Sequence, residues 1–147
     1  MVDDKDRRIL EVLLKDADFT TRKIAKVTRL PITTVHNRIK KLKKQGVIKG
    51  YTLRLDHEKL GLPLAAYILV NASLMELKEA KLTQSWLAKK LRAIPFVEEV
   101  SVVTGTADLM LKVRVASIKE FNSVLMEQIQ SLDGIKNTTT LMVLEEL

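Results

Sequence analysis

Cysteine is missing from the 147 residues. No disulfide framework, thiolate metal site or cysteine nucleophile can exist, and the composition suits a reducing compartment. Histidine is scarce: His36 and His57 are the only two, and both lie in the N-terminal part. Neither has a companion at metal-ligand spacing, so no metal site and no cofactor are expected. There is no Gly-rich phosphate loop, and no Ser, His and Asp fall at a spacing that supports nucleophilic catalysis. No catalytic residue is assigned, and the chain does not read as an enzyme. Long apolar runs are missing too. The longest, Leu62 to Val70, contains Pro63 and is far too short to span a bilayer. The opening MVDDKDRR has no apolar signal-peptide core. A soluble cytoplasmic protein with no membrane partner is expected.

Acidic charge is short in one half only. Residues 1–60 hold 16 Lys+Arg against 8 Asp+Glu, whereas residues 61–147 hold 9 against 10. The formal charge of +7 therefore belongs to the N-terminal part. Segregation of this kind points to a polyanion partner and to two domains rather than the one that length suggests.

What is present in that basic half is a helix-turn-helix pattern between Thr20 and Gln45. Thr20 is a natural N-cap for a short helix with Ile24, Ala25 and Val27 on its apolar side. Leu30-Pro31 breaks the chain, because the residue before proline leaves the helical region while proline suits a helix start. A second helix follows from Pro31 to Gln45 and ends at Gly46. Val35, Ile39 and Leu42 form its inward stripe. The remaining positions start with short polar groups and end in lysines, the order expected of a recognition helix entering the major groove N-terminus first. Thr33, Thr34, His36, Asn37 and Arg38 are the candidate base readers. Lys40, Lys41, Lys44 and, from the first helix, Arg22 are the candidate phosphate contacts. Double-stranded DNA is the expected partner.

Upstream, Asp3, Asp4 and Asp6 lead into a helix reaching about Leu14, with Ile9, Leu10, Val12, Leu13 and Leu14 as its apolar side. Downstream, Tyr51, Leu53 and Leu55 alternate with Thr52 and Arg54, a strand signal suited to pairing with a second copy. His57 to Gly61 is a turn or linker. LAAYILVNA from Leu64 reads as a buried strand. Met75 to Ala93 reads as one helix, with Leu77, Trp86 or Leu87, Leu91 and Ile94 inward and Pro95 as its stop. Val97 to Thr104 and Leu109 to Val115 are strands around the turn Gly105 to Asp108. Ser117-x-x-Glu120 is a capping box opening a helix with a Phe121, Leu125, Ile129 stripe. Ile135 to Leu144 is the last strand.

The order βαββαβ predicts a ferredoxin-like unit with helices on one face of an antiparallel sheet. The strands are apolar at nearly every position, so both faces need cover, and a second copy is the expected cover. The fold class is thus α+β. A helix-turn-helix (winged-helix-like) domain, residues 1–50, is joined by a strand and linker, 51–62, to a ferredoxin-like domain, 63–147.

In this arrangement the chain resembles the Lrp/AsnC family, the leucine-responsive and feast/famine transcription regulators. The resemblance spans essentially the whole chain. It is carried by Asp6-Arg7-Arg8-Ile9-Leu10, by Thr34-Val35-His36-Asn37-Arg38-Ile39-Lys40-Lys41-Leu42 and by Gly46-Val47-Ile48-Lys49-Gly50-Tyr51. Val103-Thr104-Gly105-Thr106-Ala107-Asp108 and Thr138-Thr139-Thr140-Leu141-Met142-Val143-Leu144 complete it. It implies a sequence-specific regulator that dimerises through its C-terminal sheets, can build octamers, and senses a free amino acid near Gly105 to Asp108. The implied effector residues are Thr104, Gly105, Thr106, Asp108, Thr138 and Thr140. Taken alone, Gly105-x-x-Asp108 is also an ordinary turn, with Gly supplying φ > 0 and Asp capping the backbone. The chain departs from the family at three places: Arg29 stands where the turn has Gly, Leu30 where the recognition helix has a Ser cap, and Thr106-Ala107 where acidic and aromatic residues are frequent.

Two other readings compete. A DNA-compacting architectural protein would need only the lysine-rich surface. A haem-precursor decarboxylase-like enzyme shares the two-part fold but needs His or Arg around a cofactor, and residues 61–147 contain no His and only Arg92 and Arg114.

Overall fold

Asp3 opens the first helix. Its carboxylate accepts from the Asp6 N–H at 2.9 Å, and the Asp6 carboxylate accepts from the Asp3 N–H at 3.1 Å. This reciprocal cap starts α1, Asp4–Lys15. The computed structural model describes residues 1–146 and divides into two units, Met1–Arg54 and Leu55–Leu147. In the first unit, Thr20 caps α2, Thr21–Thr28, by accepting from the Lys23 N–H at 3.2 Å. After a turn at Arg29 and Leu30 comes α3, Ile32–Lys44. Ile9, Ile24, Ala25 and Val35 are buried together, with Val12, Leu13, Phe19, Leu30 and Ile39 packed around them. Each fully buried Ile or Val side chain contributes about 1.5–3 kcal/mol, so three of them with Ala25 make a small core. Polar bonds brace it: Arg8 donates to the Thr28 carbonyl at 3.4 Å, and the Thr28 hydroxyl donates to the Ile24 carbonyl at 2.7 Å.

Two local expectations are corrected in this unit. Leu14 is 86% exposed, because the inward stripe of α1 runs through Ile9, Val12 and Leu13 and turns Leu14 away. The N-cap of α3 is Pro31, not Leu30, and proline supplies no side-chain cap. The segment Tyr51 to Asp56, expected to pair with a second copy, forms no strand in the single chain. Its alternation is present, but a strand exists only against a hydrogen-bonded partner, and within the described chain it has none. Tyr51, Leu53 and Leu55 stay exposed, Leu53 at 80%.

The second unit begins with a turn at residues 57–61, then β1, Leu64–Ala72. Helix α4, Leu74–Glu79, and helix α5, Gln84–Arg92, replace the single helix expected. The break is made by Lys81 in the left-handed region (φ 56°) and by Thr83, whose hydroxyl accepts from the Trp86 N–H at 3.1 Å and starts α5. Leu77, Leu87 and Leu91 are buried, while Trp86 and Ile94 are half-buried at the rim. Then come β2, Val97–Val102, β3, Leu109–Val115, and α6, Ile118–Ser123, capped by Ser117 on the Glu120 N–H at 3.1 Å. Helix α6 runs on as a π-helical turn, Val124–Ile129. Val124 is buried with Phe121 and Ile129, and Leu125 is half-buried against the same core. Strand β4, Ile135–Met142, closes the sheet. Just before it, Gly134 has φ 87°, its carbonyl accepts from the Ser73 N–H at 2.8 Å, and a Cβ there would collide with the Leu77 side chain.

The sheet order is β2-β3-β1-β4, antiparallel throughout, the ferredoxin-like topology. Strand residues alternate in and out. Ile68, Val70, Leu109, Leu111 and Val113 join the helices in the core, whereas Tyr67, Leu69, Met110 and Lys112 occupy the other face. That face is more polar than its sequence suggests. Arg114, only 5% exposed, pairs with Glu98 at 2.6 Å and Glu146 at 2.9 Å, and Lys112 pairs with Glu146 at 2.9 Å. These cations hold the Glu146 carboxyl down to a pKa of about 2.

Candidate nucleic-acid interface and effector turn

The exposed face of α3 is built by helical spacing. Val35 and Leu42 are buried and Ile39 is half-buried, which turns Thr33, His36, Asn37, Lys40, Lys41 and Lys44 to solvent. Thr34 lies half-buried at the edge. Neither α2 nor α3 contains an acidic residue, so no carboxylate from either helix neutralises this face. Arg22 is exposed on α2. Lys43 points elsewhere, over the Tyr51 ring at 4.8 Å, and Lys23 sits over Phe19 at 3.5 Å.

Arg38 differs from the other residues chosen from sequence. Its guanidinium is held by Asp3 at 2.6 Å and by Asp6 at 2.8 Å, and Asp6 is buried. The ion pair draws the Asp3 carboxyl down to about 2 and raises the Arg38 pKa further. In the structure this arginine is therefore a clasp between α3 and the start of α1, not a free base reader. Asp3 and Arg38 stand 35 residues apart, so nothing in the local pattern of α3 announced the pairing.

The turn between β2 and β3 is tied at both ends. The Val103 N–H donates to the Asp108 carbonyl at 2.9 Å, and the Asp108 N–H donates to the Val70 carbonyl at 3.0 Å. Gly105 has φ 122°, which only glycine adopts freely. Thr104, Gly105 and Thr106 are exposed and Ala107 is buried. Among the described residues, the N–H groups of Gly105, Thr106 and Ala107 find no acceptor. Successive free donors of this kind can receive an anion such as a carboxylate.

Tertiary contacts constrain this site in two ways. The Asp108 carboxylate accepts from the Ala72 N–H at 2.8 Å, where the β1–β4 register shifts, so one of its oxygens ties down the end of β1. Thr138 and Thr140 lie on β4, opposite Val70 and Ile68 of β1. Strand β1 separates them from β3, so they stand two strands, or about 10 Å, from the turn's own strand. Thr138 instead accepts from the Gln130 side chain at 2.7 Å. The structure brings other groups near. Gln84 donates to the Asp108 carbonyl at 3.3 Å. A hollow of about 360 Å³ beside it is lined by Gln84, Ser85, Lys89, Arg92, Val100 and Val102 among others. These come from α5 and β2, and their spacing along the chain carries no motif. Among the described residues, no group of three His, Cys, Asp or Glu could hold a metal ion, and no helix is long and apolar enough to cross a membrane.

Comparisons with known proteins agree with this geometry. Residues 2–49 match the winged helix-turn-helix DNA-binding model, and residues 74–147 match the Lrp/AsnC ligand binding domain. The HTH-type transcriptional regulator FL11 of Pyrococcus furiosus is 36% identical over 145 residues, 99% of this chain and 91% of the relative. The structure of E. coli AsnC superposes with a TM-score of 0.82 at 29% identity, over 99% of this chain and 94% of that one. A transcriptional regulator of Neisseria meningitidis, crystallised with L-Met, shares the fold with a TM-score of 0.88 at 23% identity, over 100% of this chain and 92% of that one. The helix-turn-helix with its basic face, the βαββαβ unit behind it, and these matches over nearly the whole chain place it in the Lrp/AsnC family of helix-turn-helix transcriptional regulators.

Proposed function

We propose that this regulator binds operator DNA as a homodimer or larger assembly and adjusts that binding to a free amino acid. The observation that carries the reading is the exposed face of α3, polar at its leading end, lysine-rich behind, and without an acid. Thr33, Thr34, His36 and Asn37 read base edges in the major groove. Lys40, Lys41, Lys44 and Arg22 hold phosphates. Arg38 keeps α3 in place through Asp3 and Asp6. The protein works where its DNA is, in the cytoplasm, and catalyses no reaction. Two surfaces suit a second copy: the outer sheet face with Tyr67, Leu69 and Met110, and the unladdered segment Tyr51 to Leu55. The effector's carboxylate meets the N–H groups of Gly105 to Ala107, with the Thr104 and Thr106 hydroxyls beside them. A neutral amino acid fits best, because no acid at position 106 awaits a basic side chain.

Salt dependence tests the DNA reading. Neutralising about 6–10 phosphates gives a log–log slope of roughly −5 to −9 between affinity and salt. A slope near zero sinks it. Selection from a random DNA pool separates a regulator from an architectural protein: enrichment of one sequence supports the first, and no enrichment supports the second. Titration calorimetry with the twenty amino acids tests the effector, and no heat from any of them makes the turn purely structural.

A further inference from the structure

The first residue of α3 is a bare isoleucine. Ile32 is β-branched and apolar, yet it is 50% exposed. At 100° per residue it falls almost in line with Ile39, but one turn of helix beyond the place where the first unit's core covers that line. It is about 40° from His36 around the helix, which sets it on the rim of the face formed by Thr33, His36, Asn37 and Lys40. Among the described residues it is not part of the buried cluster of the first unit. The exposed positions that follow it on α3, Thr33, His36, Asn37 and Lys40, are polar or basic, so Ile32 is an apolar spot on the rim of a cationic face, at the end of the helix that leads into the groove.

Major-groove edges offer one apolar group, the C5-methyl of thymine. A basic face brings the helix against phosphates, and the rim isoleucine then meets base edges rather than solvent. We infer that Ile32 is a specificity residue that packs on a thymine methyl in the operator. The inference rests on α3 being the major-groove helix. Ile32 adds to that reading a wholly apolar contact, larger than the Thr33 and Thr34 methyls beside it could make.

The test uses the full chain and the best sequence from the random-pool selection. Each thymine in turn is replaced by deoxyuridine, which removes the methyl and nothing else, and the dissociation constant is measured. One thymine per half-site is expected to lose about fourfold in affinity, the worth of one buried methyl. Ile32→Ala should bind that site more weakly and show no further loss with deoxyuridine at the same position, whereas Ile32→Val keeps most of the sensitivity. Alanine is a strong helix former, and far-UV circular dichroism checks that α3 is intact. The inference is overturned if no thymine methyl affects the wild-type protein, or if Ile32→Ala retains the full deoxyuridine effect. Failure to select or bind any DNA is a different result and removes the groove-helix reading itself.

Discussion

Asp108 is the residue whose removal says most about the effector turn. Its carboxylate accepts the Ala72 N–H at 2.8 Å, at the bulge where β1 leaves its register with β4. Ala72 is buried, so Asp108→Ala leaves its donor without a partner and away from water. A hydrogen bond to a charged acceptor contributes about 1.5–3 kcal/mol, and an unpaired buried donor costs about 1–3 kcal/mol. These are two descriptions of one loss, so the expected destabilisation is about 2 kcal/mol rather than their sum. For the unit Leu55–Leu147 unfolding by itself that lowers Tm by roughly 8–16 °C. Asp108→Asn keeps an acceptor oxygen and loses the charge, and should cost about half as much. Trp86 is the only tryptophan and lies in the C-terminal unit, so its fluorescence in a urea titration follows the relevant unfolding alone. If Asp108→Ala unfolds within about 0.5 kcal/mol of wild type, below the range for any lost buried bond, the carboxylate does not hold β1. It would then be free to meet a ligand's ammonium group. Amino-acid binding by the variant has to be read against this stability loss.

Other outcomes follow from the same contacts. Arg38→Ala should weaken binding to specific and non-specific DNA by the same factor in a filter or fluorescence assay, because the clasp positions the whole helix; a loss confined to the specific site would make Arg38 a reader after all. Gly134→Ala combines a left-handed backbone angle with a collision on Leu77 and should cost about 2–4 kcal/mol by the Trp86 titration; a change below about 1 kcal/mol would refute the packing described. Acid should destabilise the fold in a defined window. Asp3 and Glu146 have folded pKa values depressed to about 2 from ordinary values of 3.8 and 4.5. Their contributions are complete above those ordinary values and disappear as pH falls toward 2. Urea midpoints measured from pH 6 to pH 2 should fall in that window, and Glu146→Gln should flatten the fall seen by Trp86. An unchanged slope in Glu146→Gln would mean the Lys112 and Arg114 pairs carry no net stability.

Much of the fold was decided by signals a few residues long. Thr20 and Ser117 cap helices because a hydroxyl three residues upstream can reach an orphan N–H. Alternation in Leu109–Val115 marked β3 to the residue. The acid-free α3 face followed from composition and helical spacing alone. Other features depended on residues far apart in the chain, which no local pattern encodes. Arg38 meets Asp3 across 35 positions and Asp108 meets Ala72 across 36, which gives both side chains structural ties that no local pattern announces. Insertion of β1 between β3 and β4 moved Thr138 and Thr140 away from the turn. Lys81 took a left-handed angle without the glycine that would have marked the helix break, and Val124 joined Phe121, Leu125 and Ile129 against the core at the π turn Val124–Ile129. Tyr51 to Leu55 carries a strand's alternation without a strand's ladder, because backbone pairing is supplied by a partner and not by the segment that needs it.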